Sequence, residues 1–153
     1  MKHKKKDNNN HTIWHRDYSI AELNALNKNT LGEQLNIVFE ELGNDFIAAT
    51  MPVDNRTKQP AGLLHGGASV ALAETLGSVA SLMAINDELF FPVGIEINAN
   101  HIKAVKQGRV KGVCKPIQIG GRIHVWEIHI YNDHDELSCV SRLTTTIVAK
   151  NKL

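Results

Sequence analysis

Residues 59–85, QPAGLLHGGASVALAETLGSVASLMAI, decide how the rest of this chain is arranged. The stretch opens on a proline-glycine turn, passes through His65-Gly66-Gly67 and becomes a long apolar run with one charged residue, Glu74. A lone carboxylate in a helix that otherwise seeks burial is costly unless something uses it. The run from Gly66 to Asn86 is about long enough to span a bilayer. However, it carries three glycines, several hydroxyls and Glu74, and its apolar residues are largely alanine. It reads as the buried helix of a soluble domain, with no membrane partner.

Working outward, Ser19 and Glu22 form a capping-box pattern that opens a short helix through Ile20, Leu23 and Leu26. Leu35, Ile37 and Phe39 alternate with Asn36, Val38 and Glu40, which reads as a strand. A Gly43-Asn44-Asp45 turn then leads into a second strand, Phe46 to Met51, which predicts a hairpin. Beyond the central helix, Asn86-Asp87-Glu88 is a stop signal. From Gly94 to Lys103, Ile95, Ile97 and Ala99 fall on one face and Glu96, Asn98 and Asn100 on the other. Gly108 to Ile119 reads as a strand with a bulge or edge position at Pro116. Gly120-Gly121 turns the chain into Ile123 to Tyr131, and Asn132 to Glu136 turns it into Leu137 to Ala149.

A hairpin, one long helix and then consecutive strands, without βαβ alternation, give an α+β class. Five or six antiparallel strands wrapped around one central helix satisfy the pattern. One helix cannot cover both faces of such a sheet, so a second copy is expected to cover part of the rest.

A length of 153 residues suits one domain, placed at 13–153, with residues 1–12 as a basic, disordered tail. The formal net charge of +1 and an aromatic content of 5% argue against a nucleic-acid partner. Cys114 and Cys139 lack the spacing of a zinc site or a disulfide framework, which fits a reducing, cytoplasmic setting. His124, His129 and His134 form no metal pattern and read as surface or edge histidines, so no metal is expected.

The start of the central helix offers unpaired N–H groups, and glycines at 66 and 67 let a ligand come close to them. Such an end suits an oxyanion on a carbonyl under attack. Glu74 lies roughly 13 Å further along the axis. A carboxylate and its own helix start are thus too far apart to act on one carbonyl, whereas a symmetric dimer would bring the two together. Each residue also has a plainer reading: Glu74 as one half of a buried ion pair, His65 as a helix cap.

The string QPAGLLHGGASVALAETLGS, residues 59–78, resembles the signature of hot-dog-fold acyl-CoA thioesterases. The likeness extends through ATMPVDNRTKQP, EINANHIKAVKQGRVKGVCKP, GGR, VWEI and SRLTTTIV, and so covers the chain from Trp14 onward. It is strongest to the branch containing 1,4-dihydroxy-2-naphthoyl-CoA hydrolases of menaquinone biosynthesis and proofreading thioesterases that act on aryl carrier proteins.

The resemblance implies a hot-dog fold and hydrolysis of an acyl-CoA thioester, aromatic in this branch, to the free acid and CoA without a cofactor. It implies Glu74 as nucleophile or general base, Gly66 N–H as donor to the thioester oxygen, Gln59 orienting the carbonyl or water, His65 shaping that side, and Ser78 bonding the carboxylate or water. Gly67, His101, Lys103, Gly120, Gly121 and Arg122 match positions used around CoA. Gly121 departs from the serine expected there, which removes one hydroxyl contact. The resemblance further implies shared sites in a dimer, with dimers paired into a homotetramer.

Two other classes compete with hydrolysis. A hydratase/dehydratase would use Glu74 and His65 as an acid–base pair. A non-enzymatic acyl-CoA sensor or regulator would need an attached DNA-binding segment, for which the only extra sequence is the short Lys-rich tail. The spacing from Gln59 to His-Gly-Gly favours hydrolysis.

Overall fold

The computed structural model describes residues 12–152; of the segment 1–12, read above as a disordered tail, residues 1–11 lie outside them. Ser19 and Glu22 close a reciprocal cap: the Ser19 hydroxyl accepts from Glu22 N–H, and Glu22 Oε2 accepts from Ser19 N–H at 2.8 Å. This cap starts helix α1, Ile20–Leu26, which buries Leu23. A second, four-residue helix follows, α2, Leu31–Gln34, capped by the Thr30 hydroxyl.

Strand β1 is Val38–Leu42, and it returns through the Gly43–Phe46 turn as β2, Ile47–Pro52. The strand expected from Leu35 therefore begins three residues late. Leu35 caps α2, and Asn36 takes a left-handed backbone with φ 52°, which extended strand excludes.

The central helix, α3, runs Gly66–Met83. It is followed by β3 Phe90–His101, β4 Arg109–Ile119, β5 Ile123–Asn132 and β6 Leu137–Ala149. The six strands form one antiparallel sheet in the order β1-β2-β4-β5-β6-β3. The chain thus places β3 at the far edge, beside β6 and not beside β4. Pro116 sits at a register shift between β4 and β5, as its missing N–H requires. A second shift, between Gly94 and Glu96, breaks the alternation expected along β3. Ile97 and Ala99 pack on the core, but Ile95 falls in the bulge and is 56% exposed.

Helix α3 lies across the sheet and buries Leu72, Ala73, Leu76, Ala80 and Met83 against Trp126, Ile128, Ile130 and Leu143. The approach is close enough that a Cβ on Gly77 would meet Leu143 Cδ2 at 2.5 Å. The indole N–H and two hydroxyls at this contact are paired. Trp126 Nε1–H donates to Ser81 Oγ at 2.6 Å, and the Ser81 and Thr145 hydroxyls bond at 2.8 Å. Cys114 and Cys139 are free and buried, and desolvation raises both thiol pKa values.

His124 is not a surface residue. It shares the inward parity of Trp126 on β5, and only 1% of it is exposed. Its Nδ1 has no hydrogen-bond partner, and burial holds its pKa below the usual 6.5. The fold therefore keeps this ring neutral, whereas the unfolded chain protonates it as pH falls past about 6.5. The stability it contributes is present above that pH and is lost below it. Urea unfolding at pH 7.5 and 5.5 should show a lower midpoint at 5.5, and His124→Phe should narrow the gap. An equal gap in the variant would assign the pH dependence to other groups.

Candidate functional site

Three groups of residues singled out in the sequence occupy three places on one chain. The first is built by the loop before α3. Gln59 N–H donates to Leu63 O at 2.8 Å, and Gly62 N–H donates to Gln59 O at 2.9 Å. Gln59 Oε1 accepts from Ala61 N–H at 2.5 Å, so the side-chain NH2 is the group left to donate. His65 is the N-cap of α3: its Nδ1 accepts from Gly67 N–H at 2.8 Å, which leaves the proton of the neutral ring on Nε2. Capping thus occupies Gly67, while Gly66 N–H takes no partner among the described residues.

The ring of His101, at the end of β3, lies against this helix start. A Cβ on Gly66 would stand 2.7 Å from His101 Nε2, so glycine is required for the ring to sit there. Gln59, Leu64, Gly66, His101, Lys103 and Val105 line a cleft of about 310 Å³. Lys103 is ion-paired at its mouth: Nζ donates to Glu136 Oε1 at 2.5 Å, and the ammonium helps hold the Glu136 carboxyl below its usual range.

The second place is the outer face of α3. Val70, Ala71, Glu74, Thr75 and Ser78 follow one another at helical spacing on the side the sheet does not cover. Together with Gly67 and Leu31 they line a separate recess of about 400 Å³. Glu74 is therefore exposed in the single chain, contrary to the burial expected from its apolar neighbours. Its carboxylate has no ion-pair or hydrogen-bond partner among the described residues. The carboxylate lies beside the β3 bulge, where a Cβ on Gly94 would come 3.0 Å from Glu74 Oε1. Glu74 is eight positions after Gly66, about 12 Å along the axis. Leu31 and α2 were invisible to periodicity; the available signal was Thr30 as an N-cap ahead of a leucine.

The third place is the β4–β5 turn. Gly120 N–H is engaged by Ile123 O at 3.0 Å and is not free for a ligand, while Gly121 and Arg122 are exposed. Arg122 O accepts from Ile147 N–H, whereas Lys103 N–H donates to Ser138 O. Those two contacts are nine positions apart along β6, about 30 Å of strand. Within one chain, Arg122 and the glycine turn are therefore at the opposite end of the sheet from His101 and Lys103.

Among the described residues no group of three or more His, Cys, Asp or Glu is arranged to hold a metal ion, and no helix is long and apolar enough to cross a membrane.

Comparison with known proteins agrees with this architecture. Residues 61–139 match the family profile described as the thioesterase superfamily. The chain is 52% identical over 136 residues to 1,4-dihydroxy-2-naphthoyl-CoA hydrolase of Escherichia coli, covering 89% of this chain and 99% of that protein. It is 51% identical over 136 residues to the proofreading thioesterase EntH of Cronobacter sakazakii, covering 89% and 98%. A crystal structure of a mutant of thioesterase PA1618 from Pseudomonas aeruginosa superposes with a TM-score of 0.89 at 43% identity, over 90% of this chain and 99% of that one. A chain with this sheet, this helix and these relatives belongs to the thioesterase superfamily and has its hot-dog fold.

Proposed function

We propose that this thioester hydrolase acts on aromatic acyl-CoA, with 1,4-dihydroxy-2-naphthoyl-CoA as the leading substrate, at sites shared between two copies of the chain in the cytoplasm. The observation that carries the substrate class is the 52% identity to a hydrolase of that ester. The physical support for sharing is the separation of Gly66 and Gln59 from Glu74, each with unused bonding capacity, on two recesses of one chain.

Strand β3 supplies the means. It is a twelve-residue edge strand with one side unpaired and with Phe91 and Ile95 exposed, a form that invites pairing. Antiparallel pairing of two β3 strands about a two-fold axis sets the Phe90 end of one beside the His101 end of the other. Gln59, Gly66 and His101 of one copy then approach Glu74 and Ser78 of its partner. The partner's Arg122 turn comes to the end that holds His101 and Lys103, where the phosphates of CoA would lie. Two such dimers would pair into a homotetramer.

In this arrangement the Gly66 N–H and the Gln59 NH2 hold the thioester oxygen as it gains negative charge. Glu74 either takes a proton from a water held with Ser78 or attacks the carbon itself. By the first route an O–C bond forms, the C–S bond breaks, and the proton on Glu74 passes to the sulfur. By the second route the Glu74 carboxylate displaces the CoA thiolate to form a mixed anhydride, which water then cleaves, with a proton of that water passing to the thiolate. Acid, free CoA thiol and ionised Glu74 are the products of both, with no cofactor consumed. A second reading, in which the thioester is carried on a protein, is favoured by the similarity to EntH.

Thiol release should be measured with dihydroxynaphthoyl-, benzoyl-, hexanoyl- and acetyl-CoA and with a benzoylated carrier protein. The proposal predicts the highest kcat/KM for the aromatic CoA esters. Preference for the carrier-protein ester would favour the second reading. Faster turnover of the alkyl esters would overturn the aromatic assignment.

A further inference from the structure

Leu31 is 63% exposed, whereas Leu23 of the neighbouring helix is fully buried. A leucine held in the open is unremarkable singly, but the segment around this one is braced. Asn29, in the left-handed region with φ 59°, donates its N–H to Glu33 Oε2 at 2.7 Å. The Thr30 hydroxyl accepts from Gly32 N–H at 3.1 Å and donates to Asn27 O at 2.7 Å. Buried Asn27 in turn donates Nδ2–H to Ile37 O at 2.9 Å, and Gly32 sits so tightly on it that a Cβ would meet Asn27 Oδ1 at 2.5 Å. The short helix is thus fixed at both ends by polar contacts, and its leucine lines the recess of Glu74 and Ser78. With Val70 and Ala71, one turn before Glu74 on the same helix face, Leu31 gives that recess an apolar lining beside the carboxylate.

The geometry points to Leu31 as a specificity-determining residue that packs on the acyl group of the thioester while Glu74 acts on its carbonyl. This inference rests on the hydrolase reading with Glu74 at the reacting centre. An aromatic acyl group is large enough to reach from the carbonyl to an apolar wall, whereas an acetyl group is not. Leu31 therefore contributes binding to the first and little to the second.

The test is kcat/KM for benzoyl-CoA and acetyl-CoA in wild type, Leu31→Ala and Leu31→Trp, alongside the dissociation constant of S-benzyl-CoA, a thioether that cannot be hydrolysed. Both variants alter an exposed side chain outside the core, and circular dichroism checks that they fold. The benzoyl-to-acetyl ratio should fall about tenfold in Leu31→Ala, with S-benzyl-CoA binding weakened in step, and the bulk of Leu31→Trp should lower it as well. An unchanged ratio in both variants overturns the assignment. So does a changed oligomer mass with unchanged ratio, which would make Leu31 a subunit contact. Failure of the underlying reading looks different: wild type releases no thiol, or Glu74→Gln releases it at the wild-type rate.

Discussion

Glu74→Gln should reduce kcat for aroyl-CoA hydrolysis by about 10³-fold while leaving the fold and the binding of free CoA intact. The substitution keeps the side chain's size and removes only its charge and basicity. Glu74 is exposed in the single chain, has no partner among the described residues and supports no core packing, so its loss has no structural cost to confuse the result. A general base or nucleophile cannot be replaced by an amide, which neither accepts a proton near neutral pH nor forms an anhydride. If Glu74 were merely half of a structural ion pair, the same change would lower the unfolding midpoint and spare kcat. Thiol-release kinetics and a urea melt on the same preparation separate the two outcomes. A kcat within threefold of wild type would remove Glu74 from the chemistry.

Much of the fold was legible because the residues that set it act locally. Ser19 and Glu22 announce a helix start through a cap that needs only four residues. Pro116 marks its own bulge because it lacks an N–H. The 66–83 helix declares itself by continuous apolar character.

What was hidden depends on partners remote in sequence. Nothing in Phe90–His101 says that it pairs with β6 and not with β4, since both are amphipathic strands. The bulge at Ile95 has no proline or glycine of its own to betray it, only Gly94 next door. His124 looked like one of three evenly spaced surface histidines, and its inward parity emerges only once Trp126 and Ile128 are known to face the helix.

The candidate site was legible as a residue set but not as a geometry. Glu74 was noticed because a charge interrupts an apolar run, yet its exposure follows from the sheet covering only one side of α3. Lys103 and Arg122 look alike as basic residues next to turns. Only the folded chain shows that the side chain of one is bound to Glu136 and that the other lies some nine residues of β6 away.

The central claim, a site assembled from two copies, is tested most directly by mixing two inactive variants. Glu74→Gln and Gln59→Ala subunits should each be nearly inactive alone. Unfolded together and refolded in equal amounts, half of the dimers formed are mixed. In each mixed dimer one site receives Glu74 from one subunit and Gln59 from the other, and the second site receives both substitutions. Thiol release should therefore return to about a quarter of the wild-type rate. If Glu74 and Gln59 of the same chain served one site, every site in the mixture would carry a substitution. The rate would then stay at the mean of the two single variants, and that result would contradict the shared site.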